Sequence, residues 1–100
     1  MKIDLLKLEG FDWDNWNIHK IKDKHKVEFY ECEEMFFNED LLLLPDETHS
    51  TEEDRYYALG ITDSGRLLFT VFTMRNNKIR IISARNMSRK DRAIYHEKTK

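Results

Sequence analysis

The chain has 100 residues, of which 40% are hydrophobic and 12% aromatic, and it contains only three Gly and one Pro. So many apolar side chains predict one independently folding domain over residues 1–100 and exclude a low-complexity or disordered chain. The longest apolar run, Leu41 to Leu44, is far shorter than the roughly 20 residues of a membrane span, and no signal peptide is recognisable. We therefore expect a cytoplasmic protein without membrane association.

The charge is distributed unevenly along the chain, although the net charge is only -2. Residues 28–54 hold eleven Asp or Glu and no Lys or Arg, whereas residues 75–100 hold nine Lys or Arg against two acidic residues. Such a division can create a cationic surface, which is what binding to a polyanion requires. A solvated charged face is the alternative interpretation. The single Cys32 cannot form an internal disulfide, which fits a reducing compartment.

The first half of the chain predicts two helices. Asp14 is a good N-cap for a helix over residues 15–25, because its carboxylate can accept from the first free backbone N–H groups. A second amphipathic helix follows Val27, since apolar residues recur at spacings of three and four at Phe29, Cys32, Met35 and Phe36. Residues 1–10 indicate an N-terminal extension or an edge strand without an assignable partner. The run from Asn38 to Pro45 indicates an edge strand or a buried connection, with a helix as the alternative.

The second half predicts a β-meander closed by a helix. Three β-rich runs, Arg55–Thr62, Arg66–Met74 and Lys78–Arg85, are separated by short connections rich in turn-forming residues. The middle run is apolar on both alternating faces, which is typical of a central strand. Ser88 can cap a C-terminal helix, with Asp91 at the capping-box position. The predicted fold class is α+β: two N-terminal helices, an antiparallel meander of three to four strands and a C-terminal helix.

Several segments together resemble a known family. They are, in chain order, Trp13-Asp14, Lys24-His25 with Val27 and Phe29, His49-Ser50 with Glu52, Glu53 and Arg55, Gly60, Gly65-Arg66-Leu67-Leu68, and the run from Ile79 to Arg85. Over about residues 11–95 the chain resembles the BrnT family, the toxins of bacterial type II toxin–antitoxin systems. The resemblance implies a RelE-like ribonuclease fold, an RNA substrate and a partner similar to BrnA, an antitoxin with a ribbon-helix-helix domain.

Metal-independent cleavage of RNA by the ribose 2′-OH needs proton-transfer groups and cations that stabilise the phosphate. We expect these catalytic roles to fall to His49, Arg66, Arg80 and Arg85. Strict alternation would place Arg80 and Arg85 on opposite faces of the strand unless a bulge intervenes. For each arginine, an ion pair with the acidic segment is the alternative interpretation. The residues expected to bind RNA are Lys24, His25, Arg55, Arg89 and Arg92.

Other classes of site find little support in the sequence. His25 can alternatively cap the end of its helix, and His49 can alternatively anchor the loop before the sheet. No two His residues lie three or four positions apart and Cys32 is alone, so we expect neither a metal nor a cofactor. A non-catalytic interaction module with the same fold is the second functional interpretation, supported by the acidic balance and by Asn17 and Lys26. Exposed apolar surface on the meander would favour a homodimer or an antitoxin interface.

Overall fold

A computed structural model of the protein describes residues 7–46 and 53–99. These residues form three α-helices and one five-stranded sheet in the order β1-β5-β4-β3-β2. The strands are β1 Gly10–Phe11, β2 Leu42–Asp46, β3 Arg55–Ile61, β4 Leu67–Arg75 and β5 Lys78–Asn86, and the helices are α1 Asn15–His25, α2 Phe29–Phe37 and α3 Arg89–Lys98. None of these helices is long and apolar enough to cross a membrane. The extent of the domain over residues 1–100 stays a prediction.

The α+β class, both N-terminal helices and the C-terminal helix are confirmed. The edge-strand interpretation of the run before Pro45 is also confirmed, because β2 pairs with β3 at one side of the sheet. The predicted antiparallel meander is confirmed in part: β2 to β5 form four consecutive antiparallel strands, but the whole sheet is mixed and has five strands. A fifth strand, β1, pairs in parallel with β5 through Gly10 and Phe11. Two residues are too few to show an alternating pattern, so the sequence carried no signal for this pairing.

The helix boundaries follow from local hydrogen bonds. The backbone N–H of Asn17 donates to the Asp14 carboxylate at 3.0 Å, and the backbone N–H of Asp14 donates to the Asn17 amide oxygen at 2.8 Å. Helix α1 ends at Lys26, whose φ of 57° places it in the left-handed region. The Ser88 hydroxyl accepts from the backbone N–H of Asp91 at the start of α3, which confirms the predicted capping box.

The main core lies between one face of the sheet and the first two helices. Cys32, Met35 and Phe36 of α2 pack with Leu68 and Phe72 of the central strand β4. Helix α2 approaches the sheet closely at Gly60, where an added Cβ would lie 3.1 Å from the Met35 Cε atom and 3.3 Å from its carbonyl oxygen. A smaller cluster, formed by Leu59, Met87 and Tyr95 with Leu42, Leu67, Phe69 and Ile94, packs α3 against one end of the opposite face.

Candidate functional site

A β-bulge in β5 determines which side chains share a face of the sheet. Val71 pairs with Ser83 but Phe72 pairs with Ile81, so Ile82 is an additional residue in β5. An additional residue reverses the alternation of side chains beyond it. Arg80 and Arg85, which strict alternation would separate, therefore project from the same face. A bulge was the condition that the alternation pattern set for Arg80 and Arg85 to lie on one face.

The face opposite α1 and α2 is called the open face here, and its side chains form three cross-strand rows. The first row is Leu42, Leu59, Phe69 and Arg85; the second is Leu44, Tyr57, Val71 and Ser83; the third is Asp46, Arg55, Thr73 and Arg80. Helix α3 packs against the first row. Successive rows are two residues apart along each strand, or about 7 Å.

A cavity of about 270 Å³ lies in the open face. Its lining residues come from four strands and are Asp46, Arg55, Tyr57, Phe69, Val71, Ile82 and Ser83. Burial raises the pKa of Tyr57, and its hydrogen bond to Asp46 and the negative charge of that carboxylate raise it further. The phenol is therefore protonated at neutral pH and can donate a proton. Asp46 is itself buried.

Arg85 lies at the margin of this cavity. Its guanidinium carbon is 4.1 Å from the centroid of the Phe69 ring, a cation–π contact with a cavity-lining side chain. The same group donates to the Asp91 carboxylate at 2.7 Å and to the Asn86 carbonyl oxygen at 3.0 Å. One side of the guanidinium is thus held by α3, and about a third of the side chain remains exposed.

Arg80 is held more tightly than Arg85. It donates to the Asp14 carboxylate at 2.9 Å and to the Asp12 carbonyl oxygen at 3.4 Å, and its side chain is only 13% exposed. The pKa of Asp14 is lowered, first by the backbone hydrogen bond from Asn17 and also by Arg80. Arg80 therefore joins the start of α1 to the third row of the open face.

Arg66 does not lie on the open face. It precedes β4 and extends to the helices, where it donates to the carbonyl oxygens of His25 and Lys26 and to the Glu31 carboxylate. Its Nε atom donates to the Asn86 side chain at 2.7 Å. The structure thus places Arg80 and Arg85 on the same face, two rows apart, and places Arg66 elsewhere, in contact with both N-terminal helices.

The remaining candidate residues occupy different positions. Arg55 lines the cavity. Lys24 and His25 are exposed in the last turn of α1, and Arg89 and Arg92 are exposed on α3. His49, with the neighbouring Ser50 and Glu52 of the family pattern, lies outside the described residues. Within the two described ranges, no group of three or more His, Cys, Asp or Glu side chains is arranged to hold a metal ion.

Sequence reasoning missed Asp46, Tyr57 and Ser83 as site residues. The signal for Tyr57 was present, because it follows Arg55 by two positions in a strand and must share its face. Lys20 was also missed. Burial lowers the pKa of Lys20, and the positive charges of Lys24 and Arg55 lower it further, while its ammonium lies 4.8 Å from the centroid of the Trp16 ring. The helical pattern around Lys20 does not reveal that Arg55, a strand residue 35 positions away, affects its pKa.

Comparison with known proteins agrees with the resemblance seen in the sequence. The family model described as the ribonuclease toxin BrnT of type II toxin–antitoxin systems matches residues 13–91. The match covers both N-terminal helices, all of β2 to β5 and the start of α3. No curated protein matches the chain.

Proposed function

Because the chain belongs to the BrnT family of ribonuclease toxins of type II toxin–antitoxin systems, we propose that it is a cytoplasmic endoribonuclease with a RelE-like fold. It cleaves RNA without a metal ion and is neutralised by a BrnA-like antitoxin. One observation supports the placement of the site: the bulge at Ile82 directs Arg80 and Arg85 to the open face, where a cavity is lined by Arg55 and Tyr57.

The reaction requires the ribose 2′ oxygen to attack the adjacent phosphorus. A P–O2′ bond forms as the P–O5′ bond breaks, which leaves a 2′,3′-cyclic phosphate and a free 5′-hydroxyl. A base takes the 2′ proton and an acid protonates the leaving 5′ oxygen, while cations stabilise the negative charge on the phosphate. No step of this reaction requires a bound metal, so cleavage is expected to persist in the presence of a chelator.

The open face offers a group for most of these roles. We assign Tyr57 as the proton donor to the 5′ oxygen, since its side chain lines the cavity and a phenol is protonated at neutral pH. Arg85 is the cation best placed to bind the phosphate, because it borders the cavity and remains partly exposed. His49 remains the candidate for accepting the 2′ proton. Arg80, which is nearly buried, positions the third row of the open face.

The first test compares Arg85→Ala with Arg75→Ala in the purified protein and in a bacterial host. Arg75 is a matched control, because it also pairs with a carboxylate, Glu53, but lies at the far end of β4. We expect Arg85→Ala to stay folded and to lose at least about 100-fold in cleavage rate, as for removal of a transition-state cation or donor. Arg75→Ala should retain activity and still arrest growth. An active Arg85→Ala enzyme would contradict the assignment, and Arg85→Lys tests the same role while keeping the charge opposite Asp91.

The second test replaces only the hydroxyl group of Tyr57. Tyr57→Phe keeps the ring that packs 5.1 Å from Phe69, so its fold should be unchanged by circular dichroism. Loss of a general acid is expected to slow cleavage by about 100- to 10,000-fold. An unchanged rate in Tyr57→Phe would exclude this residue as the proton donor. It would not affect the assignment of Arg85, which the Arg85 variants test separately.

The non-catalytic module remains the second candidate function, and one observation favours it. Arg66, Arg80 and Arg85 each form an ion pair with a carboxylate of the same chain, at 2.9, 2.9 and 2.7 Å. A guanidinium group held in this way must keep a free side if it is to bind phosphate as well. Wild-type protein that binds its antitoxin but neither cleaves RNA nor arrests growth would establish this alternative.

A further inference from the structure

Five aromatic side chains form a continuous surface on the side of the molecule that carries α2. In spatial order they are Phe37, Phe11, Trp13, Phe29 and Tyr30, and this set is called the aromatic row here. Their ring centroids are separated successively by 6.0, 6.2, 5.7 and 5.9 Å. Each ring therefore contacts the next, from the last residue of α2 past Phe11 and Trp13 to the first turn of α2.

The aromatic row is exposed but firmly supported from below. Phe37 is 72% exposed, Tyr30 51% and Phe29 38%. Phe11 contacts the buried Phe36, which in turn contacts Phe72 of the central strand. Single exposed apolar residues are common on protein surfaces, whereas a contiguous patch marks an interface. The rigid attachment of this patch to the core means that it is preformed for a partner.

The surroundings of the aromatic row are acidic. Residues 28–40 contain six Asp or Glu and no Lys or Arg, and two of the six, Glu28 and Glu31, pair with Lys22 and Arg66 from other parts of the chain. The Glu33 carboxylate accepts from the Trp13 indole N–H at 2.8 Å, and the Glu34 carboxylate accepts from the backbone N–H of Asp63 at 3.1 Å. Neither donor is charged, so these hydrogen bonds do not neutralise the Glu33 and Glu34 carboxylates. Such a surface repels phosphates and attracts a basic protein segment.

We propose that the aromatic row is the docking surface for a basic segment of the antitoxin that also carries apolar side chains. The proposal rests on the antitoxin partner of the proposed function, but it concerns binding and not cleavage. The segment places its apolar side chains against Phe37, Trp13 and Tyr30 and its Lys or Arg side chains beside Glu33 and Glu34. The aromatic row faces away from the open face, because Phe11 and Trp13 pack on the core between the sheet and the first two helices.

The test measures the affinity of the full-length protein for the antitoxin encoded beside it, by isothermal titration calorimetry. The double variant Tyr30→Ser, Phe37→Ser removes two exposed rings, and the single variant Trp16→Ser is the control, because Trp16 is 63% exposed but stacks on Lys20 outside the aromatic row. Truncated aromatic hot spots each cost a factor of about 30 or more in affinity. We expect a loss of at least that size in the double variant and little change in Trp16→Ser. Equal losses in both, or no loss in the double variant, would overturn the proposal.

A second arm tests the charge and reports on the location of binding. Glu33→Gln keeps an oxygen for the Trp13 indole but removes the charge, so affinity should fall severalfold and depend less on salt concentration. In a Trp16→Phe background Trp13 is the sole tryptophan of this chain, and its emission should shift to the blue when the antitoxin covers it. An unchanged Trp13 emission in a formed complex would overturn the proposal.

The other possible occupants of the aromatic row give distinct results. If a second copy of the chain covers it, sedimentation will show a wild-type dimer that the double variant loses while antitoxin binding is kept. If RNA covers it, the double variant will lose affinity for RNA and keep the antitoxin. Either result overturns the proposal. Absence of cleavage in a protein that binds antitoxin through the aromatic row would contradict the proposed function alone.

Discussion

Arg66 uses all three nitrogens of its guanidinium group. These donate to the Asn86 side chain, to the Glu31 carboxylate and to the carbonyl oxygens of His25 and Lys26. The last carbonyls of a helix have no partner within it, so this one side chain serves the end of α1, the start of α2 and the end of β5. Its position next to Gly65 therefore has a structural explanation, and its expected catalytic role stays a prediction.

Arg66→Ala should therefore destabilise the fold more than it affects the chemistry. The Arg66–Glu31 pair is largely buried, with side-chain exposures of 25% and 14%. Removing the arginine takes a hydrogen-bond donor from the Glu31 carboxylate and from the carbonyl oxygens of His25 and Lys26. We expect the free energy of unfolding in urea to fall by about 2–3 kcal/mol. Arg75→Ala, which breaks an exposed pair with Glu53, should cost less than about 1 kcal/mol. A fully stable but inactive Arg66→Ala protein would instead restore the catalytic assignment.

Single residues were predictable where their partners are close in sequence. Asp14 and Ser88 were recognised as caps because the N–H groups that they accept from lie three positions ahead. Asn17 was not recognised as structural, and an ion pair of Arg66 with the acidic segment was only the alternative interpretation, because their partners are distant. The Asn17 amide donates to the carbonyl oxygen of Ile81, 64 positions away, and Arg66 reaches Glu31 across 35 positions. Local sequence patterns contain no information about such contacts.

At the scale of elements, alternation located β3, β4 and β5 to within a residue at each end, but it could not locate the bulge. The run from Ile79 to Ile82 offers apolar residues at both parities, so either register satisfies the hydrophobic pattern. The pairing with β4 resolves this, because Ile79, Ile81 and Ala84 all face the main core. The shared face of Arg80 and Arg85 is therefore a property of two strands together and of neither alone.

The N-terminal turn of α3 links folding to pH through Asp91. Burial alone would raise its pKa, but hydrogen bonds from Ser88 and from the Arg85 guanidinium outweigh burial and lower the pKa below 3.8. A carboxyl whose pKa is lower in the folded state stabilises the fold above its unfolded pKa, and this contribution is lost as the pH falls. The difference in unfolding free energy between wild type and Asp91→Asn should be constant above about pH 5.

Below pH 3.8, the ordinary pKa of Asp91, that difference should shrink, because the wild-type carboxyl becomes protonated while the amide cannot titrate. Urea denaturation followed by circular dichroism at several pH values measures it. A difference that stays constant down to pH 2 or grows on acidification would show that the Arg85–Asp91 pair does not stabilise α3.

At the scale of the whole molecule, the aromatic row and the open face differ in charge. Glu33 and Glu34 lie beside the aromatic row, whereas Arg55, Arg80 and Arg85 belong to the open face together with Asp46. RNA bound at the open face should therefore show an affinity that falls with salt concentration, with a logarithmic slope of about -0.7 per neutralised phosphate for a single strand.

A 2′-O-methylated RNA, which cannot be cleaved by the proposed route, allows this slope to be measured by fluorescence anisotropy. Arg85→Ala should reduce its magnitude by about 0.7, one phosphate contact, whereas Tyr30→Ser should leave it unchanged. Binding that does not respond to salt would contradict phosphate recognition by the open face.

The burial of the lone thiol has a practical consequence. Cys32 is completely inaccessible in the main core, and burial, aided by the charges of Glu31 and Glu33, raises its pKa to about 12. A thiol reagent can therefore modify it only during transient opening of the core, so the labelling rate follows the opening equilibrium when reclosing is fast. Arg66→Ala should accelerate labelling by about 30- to 150-fold if the whole core opens at once.

Equal labelling rates for wild type and Arg66→Ala would instead show that the core opens around Cys32 without breaking the contacts of Arg66. Because one cysteine gives one mass shift, the measurement can be made by mass spectrometry in a crude lysate. Cys32 is thus an internal probe of the stability of the protein.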